Sequence, residues 1–198
     1  MSYRIEEKIP MTFIDSEQFI QSIISSGGKE LFPKRQIKSE YFDTCKLGMF
    51  LDSEEGLLPR KKIRIRHYPL SKKINHFLEI KISAIEGRYK TTNKLLDADY
   101  KNIFKSGYWD NIYGTLERKV SVMYCREYYI YNGIRITRDQ EICYQDLYNK
   151  TNKYIEKDVV IELKASDLTP LDFLAKIVSS PRRRFSKYCN AIKNLNIG

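Results

Sequence analysis

The chain has 198 residues, of which 42% are hydrophobic and 15 are tyrosine. This is enough apolar material for the core of one domain, and it excludes an intrinsically disordered chain. Lysine and arginine number 35 against 25 aspartate and glutamate, which leaves a formal charge of +10. Such an excess favours an anionic partner, which can be nucleic acid, an anionic membrane or small phosphate compounds.

The four cysteines form neither a C-x-x-C pair nor a regular framework, so we interpret them as reduced thiols of a cytosolic protein. The sequence contains neither a signal-peptide-like apolar run nor a stretch of ~20 apolar residues. We therefore expect a soluble, cytoplasmic chain without a membrane span. No repeat or Pro/Gly-rich linker divides the sequence, which predicts a single domain over residues 1–198.

Apolar periodicity predicts about nine strands and four helices. The predicted strands are Tyr3–Ile9, Gln36–Asp43, Lys46–Asp52, Lys61–Tyr68, His76–Ser83, Gly87–Asn93, Ser121–Tyr131, Ile134–Tyr144 and Asp158–Ala165. The predicted helices are Ser16–Ser25, Ala98–Phe104, Pro170–Val178 and Phe185–Leu195. Few long crossovers separate the strands, which favours a mainly β (α+β) fold: a closed antiparallel β-barrel tunnel of about eight strands with peripheral helices.

Charged residues share one face of several predicted strands, because side chains alternate between the two faces of a strand. On one strand, Lys62, Arg64 and Arg66 alternate with Ile63 and Ile65. A Glu and a Lys two positions apart recur on three further strands, as Glu6/Lys8, Glu79/Lys81 and Glu162/Lys164. Arg4 shares the charged face of the first strand.

A hairpin can be placed in register from the sequence, because Asn132-Gly133 favours a two-residue type I′ turn. The facing pairs are then Arg126 and Asp139, Tyr128 and Thr137, Ile130 and Arg135, and Glu127 and Arg138. This register points Arg126, Arg135 and Asp139 to one side of the hairpin.

A solvated sheet face explains any one of these strands. Across five strands, however, Arg, Lys and Glu dominate the polar positions, where Thr, Ser and Gln are usual. Four amphipathic helices also need an apolar surface, so we expect them outside and the charged faces inside. Charges in a lumen lose solvation, and a polyphosphate chain with a divalent metal compensates for that loss.

Eight motifs occur in the order found in one known family: Arg4-Ile5-Glu6-Glu7-Lys8, Tyr41-Phe42-Asp43-Thr44, Ile63-Arg64-Ile65-Arg66, Phe77-Leu78-Glu79-Ile80-Lys81, Arg126, Ile134-Arg135-Ile136-Thr137-Arg138-Asp139, Val160-Ile161-Glu162-Leu163-Lys164 and Ser186-Lys187-Tyr188. Together they resemble the VTC domain, the catalytic domain of vacuolar transporter chaperone polyphosphate polymerases within the CYTH-like triphosphate tunnel metalloenzymes. The second and last motifs favour the polymerase branch. The CYTH triphosphatases carry an N-terminal E-x-E-x-K signature, and Arg4 occupies its first position here.

The resemblance implies a row of phosphate-binding, catalytic cations: Lys8, Arg64, Arg66, Lys81, Arg126, Arg135, Lys164 and Lys187. Arg4 joins them as a phosphate-binding residue on the same strand face. The resemblance also implies Mn²⁺ or Mg²⁺, with Glu162 as principal ligand and Glu6, Glu79 and Asp139 as weaker candidates. The implied partners are ATP, polyphosphate or triphosphate, and a membrane-protein partner subunit, whereas nucleic acid is not expected.

The leading hypothesis is a metal-dependent phosphotransferase that moves the terminal phosphoryl group of ATP onto polyphosphate. A triphosphatase, with water as acceptor on the same site, is the alternative within this class. A non-catalytic binding module for polyphosphate, inositol phosphates or RNA is the other alternative, supported by the net charge and by Pro181-Arg182-Arg183-Arg184. The repeated carboxylates argue against a pure binder, because they repel its ligand. The aromatic cluster Tyr124, Tyr128, Tyr129 and Tyr131 is interpreted as strand packing and not as a base-stacking platform.

Overall fold

The computed structural model describes residues 4–166 and 184–198, with side chains described from Glu6 onward in the first range. Its strands are β1 (Arg4–Met11), β2 (Lys29–Asp43), β3 (Arg60–His67), β4 (Phe77–Ala84), β5 (Gly87–Lys94), β6 (Tyr108–Asp110), β7 (Gly114–Tyr131), β8 (Ile134–Asp146), β9 (Lys153–Ile155) and β10 (Val159–Ser166). Its helices are α1 (Phe13–Ser25), α2 (Gly48–Glu55), α3 (Asp97–Ser106) and α4 (Lys187–Asn194). The chain is therefore mainly antiparallel β with four described helices, as predicted. The predicted helix Pro170–Val178 lies outside the described residues.

The strands follow the order β1-β10-β8-β7-β2-β3-β4-β5, with β6 beside β7 and β9 beside β8. Strands β1 and β5 end this order, and no pairing among the described residues joins them. The predicted barrel closure is thus not supported. Strand β5 shows why, since it has no buried residue and is exposed over Arg88–Lys94. A strand without an apolar face gains little by packing on both sides.

The described residues form two compact units. The first lies within 1–35, 124–142 and 156–185, and the second within 36–123, 143–155 and 186–198. Strands β2, β7 and β8 each contribute residues to both units.

In the first unit, α1 packs on the apolar faces of β1, β8 and β10. Ile20 and Ile23 of α1 join Ile9, Ile136 and Ile161 in one buried cluster. Thr12 caps the helix, since its Oγ1 accepts a hydrogen bond from the Asp15 amide at 3.1 Å. The predicted packing of a helix on the apolar strand face is confirmed here.

In the second unit, α2 and α3 cover the apolar faces of β2, β3 and β4. Ile63, Ile65 and Leu78 form a buried cluster with Met49 of α2, and Ile103 of α3 packs against it. The apolar and charged positions of β3 therefore face opposite sides, as the alternation predicted.

The predicted strand Lys46–Asp52 is wrong, because this segment forms α2. The Asp43 carboxylate accepts hydrogen bonds from the Met49 and Phe50 amides, both at 2.9 Å, and so caps the start of the helix. Met49 and Ser53, four residues apart, are the buried positions. A short apolar run does not distinguish helix from strand, and here a capping contact and burial decide.

The predicted hairpin is confirmed. Asn132 and Gly133 have φ angles of 46° and 75°, as a type I′ turn requires between β7 and β8. The expected facing pairs meet, since Arg126 contacts Asp139 at 2.5 Å and Arg138 contacts Glu127 at 2.8 Å. The register read from the sequence is therefore correct.

Candidate functional site

Charged strand faces form one cluster in each unit. The Glu162 cluster, in the first unit, contains Glu6, Lys8, Arg126, Asp139, Glu162 and Lys164. The Glu79 cluster, in the second unit, contains Tyr41, Arg64, Arg66, Glu79 and Lys90. Each cluster lies on the strand face opposite the helix-packed core, because its residues alternate along the strands with the buried apolar positions.

Arg126 is the centre of the Glu162 cluster. Its Nε and Nη2 donate to the two Asp139 carboxylate oxygens at 2.5 and 2.7 Å, and Nη2 also donates to Glu162 Oε2 at 3.2 Å. Asp139 is 0% exposed and Glu162 is 4% exposed. Burial opposes the charge of Arg126, but Asp139, Tyr124 and Glu162 together raise the pKa of the guanidinium well above its ordinary value. The group is a fixed cation held by two carboxylates.

Lysines hold the remaining carboxylate oxygens of this cluster. Lys164 Nζ lies 2.9 Å from Glu162 Oε1 and 3.9 Å from Glu6 Oε2. Lys8 Nζ lies 3.3 Å from Glu6 Oε1. Side chains of Lys164, Lys8 and Glu6 keep 25%, 31% and 23% of their surface exposed, against 6% for Glu162. The exposed lysines can therefore move away from the carboxylates more easily than Arg126 can.

Three cations share the carboxylate of the Glu79 cluster. Arg64 Nη2 lies 2.6 Å from Glu79 Oε2, while Lys90 Nζ and Arg66 Nη1 lie 2.8 and 3.6 Å from Oε1. Burial alone would raise the pKa of Glu79, but Arg64, Arg66 and Lys90 together lower it to about 2. Desolvation lowers the pKa of Lys90, and Glu79 opposes that effect.

Lysines also face each other across this strand face. Lys81 of β4 is the register partner of Lys62 on β3 and of Lys90 on β5. Like charges directly opposite each other destabilise a sheet. Neighbouring groups compensate this repulsion in part, because Lys90 Nζ lies 2.8 Å from Glu79 and Lys62 donates to Ser186 Oγ at 2.8 Å.

Aromatic and C-terminal groups support Arg64. Arg64 Nη1 donates to the Tyr41 hydroxyl at 2.7 Å, and the Tyr41 ring stacks on Tyr188 of α4 at 5.2 Å between centroids. The Tyr188 hydroxyl donates to the buried carboxylate of Asp43. Burial and Asp43 raise the pKa of Tyr188, so this hydroxyl stays protonated. Asp43 therefore links the start of α2 to Tyr188, on whose ring the Tyr41 side chain that contacts Arg64 is stacked.

The other predicted site residues have these positions. Arg135 is exposed and is the register partner of Lys164 on the charged face. Lys187 is the first residue of α4 and is partly buried, next to Ser186, whose Oγ accepts from Lys62 at 2.8 Å. Arg4 is the register partner of Ser166, and its side chain lies outside the described part.

Sequence reasoning missed Lys90 and Tyr41 as members of the site. Alternation along β5 places Lys90 on the same face as Arg88 and Lys94, but the other face has only Tyr89 as a hydrophobic residue, which is too little to mark it. Tyr41 lies in the Tyr41-Phe42-Asp43-Thr44 motif and is the register partner of Arg64, which places its side chain on the charged face.

A divalent cation fits the donors of the Glu162 cluster in part. Thr137 Oγ1 is buried without a hydrogen-bond partner, and Thr137 is the register partner of Glu162. Glu162 and Glu6 add carboxylates, and Lys164 contacts both. Within 4–166 and 184–198, no group of three or more His, Cys, Asp and Glu side chains could hold a metal. Two carboxylates and a hydroxyl are oxygen donors of the kind that Mg²⁺ and Mn²⁺ prefer.

The family profile of the VTC domain matches residues 3–112, which is more than half of the chain. The chain belongs to the VTC domain family. The matched segment contains Glu6 and Lys8 of the first unit and the whole Glu79 cluster. Arg126, Glu162 and Lys164 lie beyond the match, so their assignment rests on geometry and on the motif resemblance. No curated protein sequence matches the chain.

Solved structures share the fold of this VTC domain protein. A protein from Bacillus halodurans, provisionally assigned as an adenylate cyclase, is 14% identical with a TM-score of 0.65 and covers 97% of this chain and 96% of its own. A Pyrococcus horikoshii protein is 14% identical with a TM-score of 0.60, at coverages of 96% and 99%. A Vibrio parahaemolyticus protein, with the same provisional assignment as the first, is 13% identical with a TM-score of 0.57, at coverages of 97% and 98%. At these identities the likeness establishes the fold.

None of the helices in the described ranges has the length and apolar character needed to cross a bilayer.

Proposed function

We propose that this VTC domain protein binds the triphosphate of ATP and transfers its terminal phosphoryl group to polyphosphate, with Mn²⁺ or Mg²⁺ as cofactor. The observation that carries the proposal is Arg126, a guanidinium side chain only 13% exposed and held by Asp139 and Glu162 on a face that also presents Lys8 and Lys164. Membership of the VTC domain family supports a triphosphate ligand. That residues 1–198 act as one domain is part of the proposal.

The cations would act mainly by positioning and by neutralising charge. Arg64 and Arg66 present planar guanidinium groups, whose paired N–H donors match phosphate oxygens. Arg126 is preorganised by Asp139, so it pays little reorganisation when charge develops on the transferred group. No protein nucleophile is needed, because the acceptor oxygen belongs to the growing chain.

The carboxylates have a separate role in the proposal. Glu162 and Glu6 would hold a divalent metal, which when bound neutralises charge on phosphate oxygens. Glu79 and Asp139 were weaker candidates for this role. All four carboxylates contact cations: Glu79 contacts three, Asp139 contacts two donors of Arg126, and Glu162 and Glu6 each contact two cations. Glu79 and Asp139 therefore stay weaker candidates in the proposal.

The test incubates purified protein with ATP and Mn²⁺ and separates long phosphate chains from free phosphate. Chain formation supports the polymerase, free phosphate alone supports the triphosphatase, and binding without turnover supports the binding module. We expect Glu162→Gln to abolish turnover and Arg126→Ala to weaken mainly ATP binding. Glu30→Gln, an exposed carboxyl change on β2 of the same unit, serves as the control. Full activity of Glu162→Gln with Mn²⁺ would contradict the assignment.

Partners and location complete the proposal. A membrane-protein subunit that receives the product and a cytoplasmic location stay predictions. Co-purification of the full chain with membrane fractions before and after a salt wash would measure the first.

A further inference from the structure

A surface group of two aromatic rings and one guanidinium lies in the first unit. Phe32 of β2 and Tyr128 of β7 meet edge to face, with ring centroids 5.7 Å apart. The Arg35 guanidinium lies 5.7 Å from the Phe32 centroid and 5.8 Å from the Tyr128 centroid. We call these three residues the Phe32 platform. Phe32 keeps 44% of its surface exposed, and Arg35 is also exposed.

The hairpin register shows which sheet face carries the platform. Tyr129 and Tyr131 pack against the core under α1, so Tyr128 points to the opposite face. The register that joins Arg126 to Asp139 sets Tyr128 opposite Thr137, which is itself the partner of Glu162. Tyr128 thus shares the charged face of the Glu162 cluster.

Strand geometry sets the separation between platform and cluster. Two residues along a strand span about 7 Å, which separates Tyr128 from Arg126. Tyr128 on β7 and Glu162 on β10 lie two strand spacings apart, with β8 between them, which is about 10 Å. The platform therefore lies beside the cations, within the reach of one ligand that carries both phosphates and an aromatic group.

We propose that the Phe32 platform stacks the base of a nucleoside triphosphate whose phosphates contact the Glu162 cluster. Exposed aromatic rings and arginine planes are the surfaces on which proteins stack unpaired bases. This inference rests on the proposed function, since it assigns the base of the same substrate. It also revises the interpretation of Tyr128 as strand packing alone, because an exposed phenylalanine and an arginine adjoin it.

Stacking predicts a particular selectivity. Every base has an aromatic face, so the platform should accept ATP and GTP with similar affinity. Inorganic tripolyphosphate has no base and gains nothing from Phe32. The difference in affinity between the nucleotide and tripolyphosphate therefore measures the contribution of the platform.

The experiment measures equilibrium binding of tripolyphosphate and of a non-hydrolysable β,γ-imido ATP analogue to the full chain by calorimetry. We expect Phe32→Ala to weaken the analogue about 5- to 150-fold and to leave tripolyphosphate within about twofold. Phe32→Leu should resemble Phe32→Ala, while Phe32→Tyr should restore binding. The matched control is Phe104→Ala, which removes another exposed ring that lies under an arginine, with Arg118 at 3.5 Å.

Each outcome decides between the readings. If Phe32→Ala lowers the affinity for both ligands equally, or for neither, the platform does not stack the base. That result leaves the proposed triphosphate binding of the wild-type protein standing. An equal effect of Phe104→Ala on the analogue also overturns it. If the wild-type protein binds neither ligand, the proposed function fails and the platform fails with it.

Discussion

Replacing Glu79 by glutamine removes the carboxylate that Arg64, Arg66 and Lys90 share. Glu79 is 4% exposed, and these cations lower its pKa from 4.5 to about 2. Each pKa unit corresponds to about 1.4 kcal/mol, so ionised Glu79 stabilises the fold by about 3 kcal/mol at pH 7. A carboxyl with a lowered folded pKa loses this contribution as pH falls from its unfolded value toward its folded one. At pH 3 about 1.4 kcal/mol is left.

The assay is urea unfolding of wild type and Glu79→Gln at pH 7 and pH 3. We expect the difference in unfolding free energy between the two proteins to shrink by about 2 kcal/mol on acidification. Comparing two pH values cancels any pH-independent effect of the amide. Glu86→Gln, at an exposed position in the turn between β4 and β5, should show no such change. A stability difference that is the same at both pH values would refute the reasoning.

Three further changes test other parts of the structure. Arg126→Met should destabilise the protein by about 3–5 kcal/mol, because buried Asp139 loses both hydrogen bonds from the guanidinium. Adding Asp139→Asn should recover part of the loss in chemical denaturation, and equal stability of single and double variants would contradict this. Burial and neighbouring cations lower the pKa of His67, and burial lowers that of His76. Since the unfolded chain then binds more protons, stability should fall as pH drops below 6.5, and His76→Gln should reduce that fall in unfolding curves at pH 7 and pH 5. Ile63→Ala, at a position that is 0% exposed, should cost about 2–5 kcal/mol in the same unfolding assay, and a loss below 1 kcal/mol would argue against the core under α2 and α3.

Alternation and turn chemistry made much of the fold predictable. Ile63 and Ile65 alternate with arginines, and only one arrangement buries the isoleucines under helices. The Asn132-Gly133 pair fixed the hairpin register, because the turn length leaves no freedom to slip. The contact between Arg126 and Asp139 followed from that register alone.

Features that depend on distant contacts were not predictable. Segment Lys46–Asp52 was assigned as a strand because its apolar run is short, whereas the capping carboxylate of Asp43 makes it helical. The predicted barrel closure is not supported, because alternation identifies the two faces of a strand but not which strands lie at the edges of the sheet. Lys90 was missed for a related reason, since neither face of β5 has a buried residue.

In the Glu79 cluster, the carboxylate that stabilises the fold also opposes the binding of an anionic ligand. Glu79 neutralises part of the charge that Arg64, Arg66 and Lys90 would offer to phosphate, so a bound phosphate must compete with this carboxylate. Removing one negative charge about 4 Å from the ligand is worth about 1 kcal/mol, or roughly fivefold in affinity, even at the dielectric constant of bulk water. We therefore expect Glu79→Gln to bind tripolyphosphate more tightly in metal-free buffer although the protein is less stable. If Glu79 is instead a metal ligand, the variant will bind tripolyphosphate more weakly when Mn²⁺ is added, and calorimetry with and without Mn²⁺ distinguishes the two roles.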